Sequence, residues 1–248
     1  MMTEERQQQI MFKLRRQGSV KVVDLVNQLK ASESTIRRDL VQLESKNNLR
    51  RVYGGAVSVQ NKVVEKSYHD KSSQHSDEKD LIAKAATSLV KDGDSIYLDS
   101  GTSVYAMIKY LQNKKVVVVT NGLSHVEVLI EQEVPCILLG GKVKTKTKAV
   151  VGYEALQALK RYRFDKCFMG TNGVHVTYGF TTPDPEEAII KERAMACANE
   201  VYILADESKF GEVSFTRFAN LDQAQIITNL DENLTEYQEK TTIEVVKS

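Results

Sequence analysis

Val116-Val-Val-Val-Thr120 sets five β-branched residues in succession, with no polar side chain before Thr120. A strand with one wet face alternates apolar and polar residues, so an unbroken run needs cover on both faces, as in parallel sheets layered with helices. Comparable short runs recur at Ser95-Ile-Tyr-Leu-Asp99, Pro135-Cys-Ile-Leu-Leu139, Lys166-Cys-Phe-Met-Gly170, Val201-Tyr-Ile-Leu-Ala-Asp206 and Gln225-Ile-Ile-Thr228. Helical patterns separate them. One starts at Ser76-Asp77-Glu78, carries Leu81, Ile82, Ala85, Ala86, Leu89 and Val90 on one broad face, and stops at Gly93. Others run near Val104–Leu111 and up to Glu131. The alternation predicts a mainly parallel α/β domain over residues 77–248.

The first 58 residues follow a different pattern. In Ala31-Ser-Glu-Ser-Thr-Ile-Arg-Arg-Asp-Leu40, Ile36, Leu40 and Leu43 recur at helical spacing. Ser34, Thr35, Arg37, Arg38 and Gln42 fall off that face and point outward. Ser32 or Ser34 suits the helix start. Arginine pairs with both acceptors of a guanine edge or with phosphate, while serine and threonine serve either. Upstream, a first helix from Thr3 to Arg16 stops at Gly18, and Val22, Leu25, Val26 and Leu29 make a short second helix. A turn at Lys30–Glu33 then gives helix-turn-helix geometry. Leu49-Arg-Arg-Val-Tyr-Gly-Gly-Ala-Val-Ser58 reads as a hairpin turning at Gly54-Gly55, with Arg50 and Arg51 where a wing meets phosphates. Residues 3–58 are thus expected to form a winged helix-turn-helix that binds double-stranded DNA.

Charge follows the same division. Residues 1–56 hold eleven lysines and arginines against six acids, a net +5, whereas the whole chain is +1. A local basic module on a near-neutral chain fits confined nucleic-acid contact. Residues 59–76 are polar, with Lys62, Glu65, Lys66, His69, Asp70, Lys71, Ser72, Ser73 and His75, and read as a linker with some helix. At 248 residues, 42% hydrophobic and 27% charged, the chain has the composition of a soluble globular protein of two domains. No apolar run reaches bilayer length and the N-terminus has no signal core, so no membrane contact and a cytoplasmic setting are expected. Cys136, Cys167 and Cys197 are too few and too dispersed for a disulfide framework or a zinc site. No dinucleotide or Walker motif and no catalytic serine or cysteine spacing occurs, so no cofactor, metal or catalytic residue is assigned.

The ends of the apolar runs carry the remaining chemistry. They read Asp99-Ser-Gly-Thr102, Thr120-Asn-Gly122, Gly140-Gly141, Gly170-Thr-Asn-Gly173 and Asp206-Glu-Ser-Lys209. Ligands of open α/β sheets bind at the carboxyl ends of the strands. Glycine admits an anion close to backbone N–H groups. Thr102 and Ser103 supply hydroxyls, Asp99, Asn121, Asn172 and Asp206 suit sugar hydroxyls, and Lys191 and Lys209 suit phosphate. In Thr181-Thr-Pro-Asp-Pro-Glu-Glu-Ala-Ile-Ile-Lys191, Asp184 caps a helix with Pro185 at its first position. A functional reading places Thr181, Thr182, Glu186 and Lys191 at the pocket, and the two readings are compatible.

Over its whole length the chain resembles the DeoR family of bacterial transcriptional regulators. Ser32-Glu-Ser-Thr-Ile-Arg-Arg-Asp-Leu40 and Arg51-Val-Tyr-Gly-Gly-Ala56 are similar to that family's DNA-binding signature. The resemblance implies a sensor domain related in fold to ribose-phosphate isomerases that binds phosphorylated sugars without turning them over. It carries the family's motif positions onto Asp99, Gly101, Thr102, Thr120, Asn121, Gly140, Gly141, Gly152 and Gly170. They continue at Gly173, Thr181, Thr182, Glu186, Lys191, Asp206 and Lys209. Tyr162-Arg-Phe-Asp-Lys-Cys-Phe168 and Thr181-Thr-Pro-Asp-Pro-Glu-Glu-Ala188 look closest to fructose-operon repressors, which implies fructose 1-phosphate as inducer. Tyr53 stands where the family often has histidine, and Ser103 where a second threonine is common. The expected function is therefore a homo-oligomeric repressor released from operator DNA by a sugar phosphate. The same residues also allow two rival readings: a sugar-phosphate isomerase using Glu186 as base and Lys191 as electrophile, and a regulator that answers a protein partner.

Overall fold

The computed structural model describes residues 2–46, 48–58, 65 and 67–247, with residues 15–17 and 58 as backbone alone. Two compact units emerge, residues 1–62 with 210–212, and residues 63–209 with 213–248. In the stretch read as a linker, residues 59–64 and Lys66 lie outside the described residues.

In the first unit, α1 (Thr3–Gln17) ends at Gly18, whose φ of 72° takes a conformation costly to other residues and whose N–H donates to Leu14 O at 2.9 Å. β1 (Ser19–Lys21) leads into α2 (Val22–Leu29), and Lys30 makes the left-handed corner before α3 (Glu33–Ser45). Of the two serines proposed as cap, Ser32 is the one whose side chain accepts the Thr35 N–H, at 3.2 Å. β2 (Leu49–Val52) and β3 (Gly55–Ser58) form the wing, and β1 adds a third strand in the order β1-β3-β2. Ile10, Leu14, Val20, Leu25, Leu29, Ile36, Leu40, Leu43 and Leu49 close one core.

The wing turn differs from expectation by one residue. Val52 pairs with Gly55, so the loop is Tyr53-Gly54 and Gly55 belongs to β3. The two glycines have separate reasons: Gly54 has φ 78°, whereas a Cβ on Gly55 would lie 2.0 Å from Val20 O of β1.

In the second unit the elements run α4 (Tyr68–Ser72), α5 (Ser76–Ser88), β4 (Ser95–Leu98), α6 (Thr102–Tyr105), β5 (Val117–Thr120), α7 (Leu123–Glu131) and β6 (Cys136–Leu138). A small hairpin, β7 (Lys142–Val143) and β8 (Val150–Val151), precedes α8 (Tyr153–Leu159). Then come β9 (Phe164–Gly170), β10 (Gly173–His175), β11 (Gly179–Thr182), α9 (Pro185–Met195), β12 (Ala198–Leu204), β13 (Thr216–Ala219), β14 (Gln225–Thr228), α10 (Thr235–Gln238) and β15 (Ile243–Val245). Among the described residues, seven strands form one sheet in the order β15-β14-β12-β9-β4-β5-β6, every neighbouring pair parallel. Ile96, Leu98, Phe168, Tyr202, Leu204 and Ile227 share a cluster with Ile82, Ala83 and Ala86 of α5. Alternating with them, Tyr97, Cys167, Met169 and Ile203 are equally buried, as both-face cover demands. β10, β11 and β13 make a separate antiparallel sheet against which α9 packs.

The helix expected over Val104–Leu111 is broken. α6 starts earlier, with Gly101 as its cap, and a 3₁₀ turn over Ile108–Tyr110 follows. Val104, Met107, Ile108 and Leu111 are all fully buried, and the bonds Met107 N to Val104 O and Tyr110 N to Met107 O tighten the path that buries them. β12 begins before its apolar run because Ala198 and Glu200 pair with Phe164 and Lys166. Among the described residues no helix is long and apolar enough to cross a membrane.

Gly55→Ala drives a methyl into a backbone carbonyl that cannot swing aside. It should destabilise the first unit by about 3 kcal/mol, read as a lower melting transition of that unit in the full chain, whereas Lys46→Ala should leave it unmoved.

Candidate functional site

The segregation on α3 is sharp. Ile36, Asp39, Leu40 and Leu43 are buried, while Ser34, Arg37, Arg38 and Gln42 are exposed and Thr35 is half-buried. Asp39 lies three residues after Ile36 and so occupies the apolar stripe. Its carboxylate takes Arg6 Nε at 2.5 Å and Arg6 Nη2 at 3.1 Å, with Gln7 Nε2 at 3.4 Å. This two-pronged bond ties α3 to α1. Hydrogen bonding to Asp39 raises the Arg6 pKa above its already high ordinary value, so the guanidinium stays charged. Gln42 Oε1 also accepts from Gln7 Nε2, at 2.6 Å, while the residue as a whole stays exposed.

The outward arginines are held more loosely. Arg37 meets Glu33 at 2.6 Å, one turn back, with both side chains about 60% exposed, a pair of little energetic weight. Arg38 and Arg50 have no ion pair among the described residues. Arg51 binds Glu44 through its backbone N–H and, at 2.5 Å, its Nε, and both bonds lower the Glu44 pKa. α3 and the wing thus present arginines to solvent on a scaffold whose underside is locked.

The second surface lies at the carboxyl edge of the parallel sheet. Lys191 of α9 points back to Asp99, just beyond β4, with Nζ 2.6 Å from Oδ2 and 2.9 Å from Gly170 O. Gly170 N–H donates to the same Asp99 oxygen at 3.1 Å. Both charged groups are buried. A Cβ on Gly101 would come within 3.2 Å of Asp99 Oδ2 and 3.4 Å of Gly170 Cα, so the two glycines make room for the carboxylate. Asp99, Gly101, Gly170 and Lys191 are therefore one constellation.

Asn121 and Thr120 lie beside it but are spent internally. Asn121 Oδ1 accepts Ser100 N–H at 3.1 Å and its Nδ2 donates to Val150 O at 3.2 Å, stitching the loop after β4 to the β7–β8 hairpin. The Thr120 hydroxyl donates to Leu98 O at 2.7 Å and accepts Gly122 N–H at 2.9 Å. It also meets His125 Nδ1 at 3.1 Å. With the hydroxyl proton given to Leu98, that ring nitrogen is the donor. His125 is fully buried, and burial pushes its pKa down to about 4. Its ring lies where a Cβ on Gly122 would be, 2.8 Å away, so this glycine yields to a histidine and not to an anion.

Gly140 is exposed, Gly141 is forced by Val151 O at 2.6 Å from its would-be Cβ, and Gly152 takes φ 96° before α8. Thr181 accepts Ser214 N–H at 2.9 Å, and the Thr182 hydroxyl donates to Asn172 Oδ1 at 3.3 Å. These join the β10–β11 hairpin, begun at Gly173, to its surroundings. Thr102 is half-buried and Ser103 buried, and neither hydroxyl is engaged among the described residues. Asp206 is fully buried. Burial opposes its ionisation, yet the charge of Lys209, 3.5 Å away, and bonds from Ser208 hold its pKa below the ordinary value.

Glu186 is not part of the constellation. It pairs with Lys142 at 2.9 Å on an exposed face. Lys191 lies five positions further on, which places the two on different sides of α9, so the base-and-electrophile pair of an isomerase is not assembled. Glu187, one turn before Lys191, is the buried acid: it accepts the Thr147 hydroxyl at 2.7 Å and faces Lys144 at 3.4 Å. Sequence reading passed over Glu187, Asp39 and His125. The available signal was an ionisable residue inside an apolar stripe, and for Glu187 the four-residue spacing to Lys191.

Comparison with known proteins is consistent along the chain. The family described as "DeoR-like helix-turn-helix domain" matches residues 6–62, and "DeoR C terminal sensor domain" matches residues 74–230. An uncharacterised HTH-type transcriptional regulator named FruR from Bacillus subtilis is 49% identical, covering 100% of both chains. The regulator IolR of the same organism is 33% identical over 89% of both. A lactose phosphotransferase system repressor of Staphylococcus epidermidis is 34% identical over 91% of this chain and 90% of its own. Among solved structures, ribose 5-phosphate isomerase A from Methanocaldococcus jannaschii is 24% identical over 55% of each chain, with a TM-score of 0.42.

The buried, neutral His125 makes an acid-side prediction. Above pH 6.5 neither folded nor unfolded His125 is charged and it has no effect on stability. As pH falls from about 6.5 to about 4 the unfolded chain takes up a proton that the folded chain refuses, and on the order of 3 kcal/mol of stability is lost. Denaturant titrations at pH 7 and pH 4.5 on the wild type and on His125→Gln measure it. The pH-dependent loss should be smaller in the variant by roughly that amount.

Proposed function

Because the chain belongs to the DeoR family of transcriptional regulators, we propose that it is a repressor of a sugar-utilisation operon, released from operator DNA by a phosphorylated sugar. In this reading α3 enters the major groove. Ser34, Thr35, Arg37, Arg38 and Gln42 meet base edges and phosphates, and Arg50 and Arg51 of the wing grip the backbone. The protein acts as a homo-oligomer on repeated half-sites. The carrying observation is the division of α3, whose buried face is pinned by Asp39 to Arg6 while its arginine face meets solvent.

The effector occupies the carboxyl edge of the sheet. Thr102, Ser103 and Asn172 bind its oxygens, and Lys209 faces its phosphate. The glycines at 101, 140, 141, 152, 170 and 173 shape the floor, and Thr120, Asn121, Thr181 and Thr182 brace it. The Asp99–Lys191 pair and Asp206 give the edge the charge that a ligand phosphate and hydroxyls perturb. Fructose 1-phosphate is the proposed inducer, supported by the resemblance of the segments at 162–168 and 181–188 to fructose-operon repressors and by the 49% identity to a regulator named FruR. Effector and operator are coupled because the effector favours the state with weaker operator affinity, a linkage of about 1–3 kcal/mol in typical systems.

Fluorescence anisotropy with labelled DNA from upstream of the protein's own gene tests both halves. Arg38→Ala should weaken operator binding about 5- to 150-fold; unchanged affinity in both Arg37→Ala and Arg38→Ala removes α3 as the reader. Titration with fructose 1-phosphate, fructose 6-phosphate, fructose 1,6-bisphosphate, tagatose and galactose phosphates and free fructose should give release by one phosphorylated sugar. Lys209→Ala should keep operator affinity and lose that release. Release by none of them overturns the sensor assignment and leaves the DNA-binding head.

A further inference from the structure

The first described residues after the 59–64 segment are strapped onto the effector edge. Glu65 is buried, with its carboxylate 2.9 Å from Lys71 Nζ and 3.8 Å from Lys144 Nζ. Lys144, in the loop after β7, also pairs with Asp184 and lies 3.4 Å from Glu187, both at the start of α9. Thr147 of the same loop donates to Glu187. Tyr68 N–H donates to Lys146 O at 2.9 Å, its ring stands edge-on to Tyr105 of α6, and Lys148 lies over it at 5.2 Å. Lys79 of α5 donates to the carbonyls of Lys71 and Gln74. Glu65 and residues 67–75 therefore hold on to α6, which follows Gly101, to the hairpin stitched to Asn121, and to α9, which carries Lys191 one turn beyond Glu187.

We propose that the partly buried ionic cluster of Glu65, Lys144 and Glu187 is the coupling element through which α9 passes effector occupancy at the Asp99–Lys191 edge to the segment leading to the DNA-binding head. The inference rests on the effector reading above and adds the route. Three carboxylates, Glu65, Asp184 and Glu187, converge on the single ammonium of Lys144, with Lys71 as a second partner of Glu65 alone, so the acids compete for Lys144. Burial strengthens that competition, because a charge pulled part-way from its partner regains little water. Intermediate positions are therefore poor, and the segment has two arrangements: docked with Glu65 on Lys144, or released. A shift of α9 that draws Glu187 on to Lys144 weakens its hold on Glu65. This is a two-state element that one site biases and the other reads.

The test compares wild type, Glu65→Gln, Lys144→Met and the exposed α9 control Glu192→Gln, all as full-length chains. Three readouts apply: operator affinity with and without the sugar phosphate that releases the wild type, calorimetric binding of that sugar phosphate, and hydrogen exchange at the Tyr68 amide. Glu65→Gln is isosteric, so it reports even if Lys144→Met fails to fold. The expected result is that Glu65→Gln still binds the sugar phosphate while its operator affinity changes less than twofold on adding it. The Tyr68 amide exchange should respond to ligand in wild type and in Glu192→Gln but not in Glu65→Gln. Full release retained in Glu65→Gln, with a ligand response at Tyr68 like that of wild type, overturns the inference alone. A wild type that binds no sugar phosphate overturns the effector reading and the inference with it.

Discussion

The second unit is organised around one buried ion pair. Lys191 and Asp99 come from a helix and a strand end far apart in the chain, and neither reaches solvent. Burying two charges costs several kcal/mol each unless geometry and further hydrogen bonds compensate. Here Gly170 supplies both, its N–H to the carboxylate and its carbonyl to the ammonium. The requirement propagates outward. Residue 101 is glycine because the carboxylate fills the space beside it, and α9 is placed by its lysine as well as by its apolar residues. The first unit repeats the device with Arg6 and Asp39, where an ion pair beneath a helix decides which face is left for a partner.

Much of this architecture was legible in local pattern. Unalternated runs such as 116–120 can satisfy both faces only inside a layered parallel sheet, and six of the seven strands of that sheet arise from such runs. The helix-turn-helix was legible because Ile36, Leu40 and Leu43 leave no choice of buried face. What could not be read depends on residues distant in sequence. The three-residue strands β1 and β15 carry too little pattern to register and exist because a partner edge awaits them. The wing turn sits one residue earlier than its Gly-Gly pair suggests, since only the approach of β1 assigns Gly55 to the strand.

The candidate effector edge was legible in composition but not in role. Glycines after strands were read as anion cradles, yet Gly122 answers to the ring of His125 and Gly141 to a carbonyl of β8. Asn121 and Thr120 are polar at the right place, but their hydrogen-bonding capacity is consumed by Ser100, Val150 and Leu98. Glu186 and Glu187 are neighbours of identical chemistry, and one step of about 100° around the helix sends one to the surface with Lys142 and the other into the interior. Side-chain type limits what a position can do, and the helical phase and the neighbours decide which of those things it does.

The sequence separation within the central pair also orders assembly. Asp99 and Lys191 are 92 residues apart, so their contact closes a long loop whose entropy must be offset before the pair can contribute. Two ions give up water profitably only when the Gly170 groups that complete their coordination are already in place, which requires β4 and β9 to be side by side. The sheet therefore precedes the pair, and α9 locks late. A helix that joins a finished core is expected to leave before that core does, so the order of assembly sets the order of local opening.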